Sequence, residues 1–351
     1  MNQSIVKDYS TKGYDVTHKI GFACKYMHTN QNLKKQLLED IQRPLNTKST
    51  TVAWLNRQSK AVAEERLWDI IVHNVAAIEK LIRYVGGLPV ELRMVRIGSD
   101  ILPVFTERTW SYFYRDAGIC TRLERMFSQV GQVAREFDVR LSFHPGQFTV
   151  LASDNADIVN RSIEEFEYHV NMVRWMGYGQ TWQDFKVNVH ISGRQGPDGI
   201  KAVLPRLSPE ARNTITIEND ENSWGVDASL ELEKDVALVL DIHHHWIKTG
   251  EYISATDDRV KRIQDSWRSV RPVLHYSVSR EDLLVAHPAD IKPDMETLLN
   301  TGYKKQSLRA HSDFYWNTAC NEWALSFNDN FDIMCESKMK NLASIKLFEQ
   351  S

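Results

Sequence analysis

The sequence predicts an α/β protein built as a (β/α)8 barrel, the TIM-barrel architecture. Three observations carry that expectation. Eight short runs rich in Val, Ile and Leu recur along the chain, mostly continuous rather than alternating, as for parallel strands covered on both faces. Helical patterns fall between them. No low-complexity stretch, charge block or Pro/Gly-rich linker divides the 351 residues, and barrels of this kind commonly reach that length as one domain. The chain is therefore read as one barrel domain over 1–351. A doubly wound open sheet is the alternative. No G-x-G-x-x-G and no G-x-x-x-x-G-K-[ST] follows any run, which removes the two commonest nucleotide-binding readings.

The first strand is expected at Lys19–Cys24. A helix within Glu64–Tyr84 follows, because Leu67, Ile71, Val75, Ile78 and Ile82 step by four and three. The second strand is expected at Glu91–Ile97. Leu123, Met126, Val130, Val133 and Phe137 repeat the helical step before the third, Val139–His144. Val159, Ile163, Phe166, Val170 and Val173 do so before the fourth, Lys186–Ile191. The fifth is Thr214–Glu218 and the sixth Val236–Ile242, with a short helix near Ser229–Lys234 between them. A helix at Asp257–Trp267 precedes the seventh, Pro272–Ser277. One at Thr318–Ser326 precedes the eighth, Phe331–Glu336, and Asn341–Phe348 closes the chain.

Composition removes several classes. Hydrophobic residues make up 42% and charged residues 25%, and ten Trp, twelve Tyr and thirteen Phe can fill a large core, so whole-chain disorder and coiled coil are excluded. No run of about eighteen apolar residues could cross a membrane. The opening MNQSIVKDYSTKGYD has no apolar core and no cleavage site, so no signal peptide is expected. Cys24, Cys120, Cys320 and Cys335 lie far apart with no C-x-x-C pair, which suits a reducing cytoplasm. The net charge of −3 provides no global attraction to nucleic acid; a DNA-binding reading needs a local basic patch or cations among carboxylates.

The strand ends point to such cations. Strands three to eight finish in turn on His144, His190, Glu218, Asp241, His275 and Glu336, each directly after an apolar run. In a barrel these ends converge on one face. A lone His there is usually a hydrogen-bonded rim residue, and a lone Asp or Glu a helix cap. Six in succession are better explained by a shared metal cluster, since clustered imidazoles and carboxylates otherwise repel or go unsatisfied. Mixed His and carboxylate donors suit Zn²⁺ or Mn²⁺. Of His243, His244 and His245, only His244 should face the cluster if a turn begins after Asp241; the other two are then structural.

These strings, in this order, resemble the UV-damage endonuclease family of metal-dependent barrel enzymes. The matching pieces include Gly21-Phe22-Ala23-Cys24, Arg96-Ile97-Gly98-Ser99, Phe143-His144-Pro145-Gly146-Gln147-Phe148, His190-Ile191-Ser192-Gly193, Glu218-Asn219-Asp220-Glu221, Asp241-Ile242-His243-His244, His275-Tyr276-Ser277, His311-Ser312-Asp313-Phe314 and Glu336-Ser337-Lys338-Met339-Lys340. They span nearly the whole chain, and the H-P-G-Q and E-N-D-E pieces are specific in combination. The resemblance implies a cluster of three divalent ions, Mn²⁺ by expectation with Zn²⁺ or Mg²⁺ as alternatives. Its implied ligands are His144, His190, Glu218, Asp241, His244, His275, His311 and Glu336. His311 comes from the resemblance alone, and His287 is its rival in the same stretch.

The activity implied is nicking of double-stranded DNA immediately 5′ to a UV photoproduct, leaving a 3′-hydroxyl and a 5′-phosphate. Glu218 and Glu336 would serve catalysis by fixing the ions, and Lys338 would add positive charge near the phosphate or cap the eighth strand. Gln147 and Phe148 resemble the family's lesion-probing pair, with Phe where Tyr is frequent. Phe22 is placed to line a lesion pocket or to pack in the core. Arg96 is the leading phosphate contact, with Lys25, Lys48, Arg57, Arg194, Lys304 and Lys305 as further candidates. Two departures stand out. Family members carry a Lys near the metals where this chain has Val273, so that role is absent or supplied elsewhere. Segment 280–308 is long, and is a lid, a DNA-contacting insertion or a solvated excursion. A cytoplasmic monomer, nucleoid-associated on DNA, is expected. The rivals are an apurinic-site endonuclease of the endonuclease IV type and a metal-dependent sugar isomerase, which needs fewer ions and an acid–base pair.

Overall fold

Eight parallel strands close into a barrel in the order in which they occur in the chain, as a computed structural model describing residues 17–351 shows. The strands are β1 (Ile20–Cys24), β2 (Met94–Ile97), β3 (Arg140–Phe143), β4 (Lys186–His190), β5 (Ile215–Glu218), β6 (Ala237–Asp241), β7 (Val273–Tyr276) and β8 (Asp332–Cys335). Each falls inside its expected run. The segment read for a signal peptide, residues 1–15, lies outside the described residues. No helix among the described residues is long and apolar enough to cross a membrane, and all four cysteines are free.

Strand alternation sorts the side chains. On β4, Val187 and Val189 face the outer layer, where they pack with helix residues such as Val170 and Val173. Lys186, Asn188 and His190 take the opposite face, toward the barrel interior. A second apolar layer of Ala23, Met94, Ala237, Val239, Val273 and Met334 fills part of that interior. The register sets strand ends at one level: His190 pairs with Glu218 and Asp241 with His275.

The opposite end of the barrel is closed by side-chain ion pairs. Asp332 accepts from Arg140 at 2.6 Å, from Arg271 at 2.8 Å and from the backbone N–H of Lys19 at 2.8 Å. The Arg140 guanidinium also lies over the Trp267 ring.

The three long helices are Lys60–Gly86, Ala117–Glu136 and Ala156–Trp175, begun by the side-chain caps Ser59, Asp116 and Asn155. The second crosses so near the Met176 carbonyl that a side chain at Gly131 would collide with it. Elsewhere the boundaries differ from expectation. The β2 run loses Glu91–Arg93 to a 3-10 turn at Val90–Leu92 after Pro89, which Arg93 closes by donating its N–H to the Val90 carbonyl. The helix expected at Ser229–Lys234 begins earlier, as Val226–Ser229 followed by a 3-10 turn at Leu230–Leu232. Helices at Lys35–Gln42, Gly196–Val203 and Ile242–Thr249 were not anticipated, each too short to show a sustained period.

His169 lies fully buried in the third long helix, its Nδ1–H donated to the Glu165 carbonyl at 2.8 Å and its Nε2 without a partner among the described residues. Burial pushes this imidazole down to about 4. Its folded value lies below its unfolded one, so it stays neutral in the fold while the unfolded chain takes up a proton. The stability it contributes is complete above about pH 6.5 and is lost as pH falls toward 4, to the extent of about 3 kcal/mol. Urea midpoints measured across that window should fall less steeply in His169→Phe than in the native chain; equal slopes would refute this.

Candidate metal centre

Glu218 ends β5 with no exposed surface, and its carboxylate is the point on which the strand ends converge. Oε2 lies 3.2 Å from His144 Nε2 and 3.9 Å from His190 Nε2. Oε1 lies 3.1 Å from His275 Nδ1 and 3.5 Å from His244 Nδ1. Four imidazoles from four chain segments thus meet one carboxylate. Asn188 Nδ2 donates to Glu218 Oε2, and Thr216 Oγ1 donates to Asn188 Oδ1 at 2.7 Å, so the carboxylate is held from below.

The other groups gather round it. Asp241 ends β6 and caps the helix Ile242–Thr249, accepting from His244 N at 2.7 Å. Its other oxygen, Oδ2, is buried with no hydrogen-bond partner among the described residues and lies 3.7 Å from His244 Nδ1. Asn219 staples β5 to β6, exchanging hydrogen bonds of 2.9 and 2.8 Å with the Asp241 backbone. Glu336 follows β8; it pairs with Arg96 and lies 3.3 Å from His275 Nδ1. His190 Nδ1 lies 3.4 Å from Asp220, and His244 Nε2 3.6 Å from Glu221, which Arg309 pairs at 3.0 Å.

The electrostatics are those of crowded charges. Burial would raise Glu218, but His275 and His190 outweigh it and hold the carboxyl well below the usual range. Asp241, buried and facing Glu218 and Glu336, is pushed up to about 8 despite His244. His190 is raised to about 10 against its burial by Glu218 and Asp220, whereas the deeper His275 falls to about 4 through burial. The chain thus leaves one carboxylate short of positive charge.

A cation fits this set. One donor each from His144, His190 and Glu218 lies within 4.8 Å of the others, and so do donors from Glu218, Asp241 and His275. Glu218 belongs to both groups, as a bridging carboxylate must. The unpartnered Asp241 Oδ2 is the kind of buried acceptor a cation satisfies. His144 donates Nδ1–H to the Pro145 carbonyl at 3.0 Å, which leaves Nε2 as its free donor facing Glu218.

One expected ligand, His311, sits less centrally. His311 is held by a β-bridge to Ser279, its ring 6.2 Å from that of His243, at the edge of the field of Glu336 and His244. His244 is the one member of the His triplet at Glu218. His243 stacks on Trp246 and His245 bonds Glu251 at 2.9 Å. His287 bonds the Pro288 carbonyl away from the cluster.

Other site expectations divide. Phe148 stands 85% exposed beside exposed Gln147, and Gln147 lines a cavity of about 180 Å³ over His190, Asp220 and His244. Arg96 reaches the cluster through Glu336. Phe22 does not reach the open face: strand alternation turns it outward, and it is buried in the outer core. Lys338 is half exposed and pairs with Asp313 at 3.3 Å, outside the cluster. Arg194 pairs with Asp154, and Lys305 bonds the Lys248 carbonyl at 2.7 Å. Segment 280–308 packs down through Tyr252 to Pro293 and Ser279 to Leu308.

Sequence reading missed Lys186, Asn188, Thr216 and Arg309. The first three were marked only as polar residues in otherwise apolar strands, a signal that was there to use.

A family model described as UV-endonuclease UvdE matches residues 18–351. The chain belongs to that family. Among curated relatives, the UV DNA damage endonuclease of Bacillus cereus (strain G9842) is 25% identical over 316 residues, covering 86% of this chain and 88% of its own length. The enzyme of that name from Bacillus thuringiensis subsp. konkukian (strain 97-27) is 24% identical over 316 residues, with the same coverage of 86% and 88%. A crystal structure of SacUVDE superposes with a TM-score of 0.70 at 20% identity, covering 95% of this chain and 97% of that one, a likeness of fold.

Proposed function

We propose that this protein is a DNA-repair endonuclease that hydrolyses the phosphodiester immediately 5′ to UV photoproducts in double-stranded DNA, leaving a 3′-hydroxyl and a 5′-phosphate. The observation that carries this reading is the convergence of four imidazoles on the buried Glu218 carboxylate, in a chain of the UvdE family. His144, His190, Glu218, Asp241, His244, His275 and Glu336 would hold the ions, with His311 at the rim; three ions, Mn²⁺ first, is the count proposed. Held by these residues, divalent ions would supply the positive charge that activates water and neutralises a leaving oxygen. Glu218, shared by both donor groups, sets the spacing. Arg96 neutralises Glu336 at the face where a phosphate would approach.

Gln147 and Phe148 project from the open face and are proposed to fill the gap left when a damaged pyrimidine pair is extruded. Such a pair stacks poorly and is extruded at lower cost than normal bases. Phe148→Ala should lower kcat/KM on a dimer-containing duplex by about 10–100-fold, the equivalent of one lost stacking contact. Its thermal stability should match the native chain because the ring is exposed. An unchanged kcat/KM would remove Phe148 from recognition.

The deciding experiment uses end-labelled duplexes carrying one pyrimidine dimer, one abasic site or no lesion, with Mn²⁺ and with chelator. A metal-dependent nick directly 5′ to the dimer is expected. Cleavage at the abasic site alone would move the protein to the endonuclease IV type. No cleavage with ions bound would send the search to sugar substrates.

A further inference from the structure

We propose that Lys186 is a positioning residue for the metal centre: it fixes the ring of His275 so that Nδ1 faces the cluster. The inference rests on reading that cluster as a metal site. Lys186 begins β4 and is 2% exposed. Its Nζ lies 2.7 Å from His275 Nε2. β4 pairs with β3 and β5, and β7 with β6 and β8, so this contact crosses the barrel interior rather than joining neighbours.

Lysine is almost never fully buried unless it is paired, because desolvating an ammonium costs several kcal/mol. Among the described residues Lys186 has no carboxylate partner within 4.0 Å, and His275 is its one side-chain hydrogen bond. The floor below it already carries positive charge in excess, with the single carboxylate of Asp332 set against Arg140 and Arg271. Nothing there requires a lysine. Val273 and Met334 show that the barrel interior accepts hydrophobic side chains.

What the contact does is geometric. The imidazole has two nitrogens on opposite sides. A ring that ligates through Nδ1 keeps its proton on Nε2 and donates it to the Lys186 amine nitrogen, and Nδ1 then points to Glu218 Oε1 at 3.1 Å and Glu336 Oε1 at 3.3 Å. Without it, the ring keeps only the contacts at its upper edge and can turn about its side-chain bond. A partner on the far nitrogen of a ligating histidine typically accounts for 10–100-fold in metal affinity.

The test uses the full chain, wild type and Lys186→Met, metal-free and titrated with Co²⁺. Thermal melting of the metal-free proteins reports the fold, and equilibrium dialysis with the visible Co²⁺ spectrum reports the site. Methionine fills nearly the same space without a hydrogen bond, so the metal-free variant should melt at or above the wild-type temperature. Its affinity for Co²⁺ should fall by about 10–100-fold with an altered spectrum. Lys186→Gln, whose amide can still bond Nε2, should recover part of both. A merely structural lysine would give the reverse: lower melting with unchanged affinity and spectrum. Wild-type affinity and spectrum in the Met variant would overturn the proposal while leaving the metal reading intact. Should Met not fold, Lys186→Leu is read in the same way. A wild-type chain that takes up no Co²⁺ would overturn the metal reading itself.

Discussion

Glu218→Ala is expected to lower metal-dependent nicking by about a thousandfold or more, about 4 kcal/mol of barrier. Glu218 is the residue that both donor groups share, and four imidazoles lie within 3.9 Å of its oxygens. Removing it takes away the carboxylate both groups share and leaves those rings, with Asn188, facing an empty buried space. The ion content should fall with the rate, so dialysis against Mn²⁺ and single-turnover nicking should decline together. Glu218→Gln keeps the shape and the hydrogen bond from Asn188 but loses the charge. Its loss of activity should be nearly as large, which separates electrostatics from packing. A rate within about tenfold of wild type in the Ala variant would show that the cluster is not where hydrolysis occurs.

The second large effect is on stability, at the opposite end of the barrel. Asp332→Ala should cost about 3–5 kcal/mol. The Asp332 side chain is 3% exposed and compensates Arg140 and Arg271, whose side chains are 20% and 15% exposed. It also accepts from the Lys19 N–H, so it ties β8, β3 and the entry to β1. Truncation leaves two guanidinium groups and a backbone donor without their acceptor. Asp332→Asn should cost less, since its carbonyl can still serve one donor. Urea midpoints measure both, and a loss below about 1 kcal/mol for Ala would show that solvent or a shifted neighbour replaces the carboxylate. Nicking per folded molecule should be unchanged, because the network lies at the end of the barrel away from Glu218.

Much of this was legible in the chain. Each of the eight strands lies within its expected run, because a parallel strand covered on both faces writes itself as a short apolar segment. The long helices were equally plain: five apolar positions at steps of three and four cannot be confused with a strand. The ionisable residue after each apolar run marked the open face. The choice of His244 from the triplet followed from one turn of geometry, and Asp241 as helix cap supplies that turn.

Other features depended on which residues meet across the barrel. Phe22 reads the same whether it lines a pocket or packs under a helix; only its position on β1 turns it outward. Lys338 sits in the matching string yet pairs with Asp313, because the loop after β8 carries it away from the cluster. Lys186 and His275 are 89 residues apart in sequence and on non-neighbouring strands, so no local pattern relates them. Local periodicity records which face of each element is apolar, and that determined the barrel and the candidate ligands. Closure of the sheet decides which inward side chains share a level and touch, and that alone placed Glu218 at the centre, Lys186 beneath it and Phe22 outside.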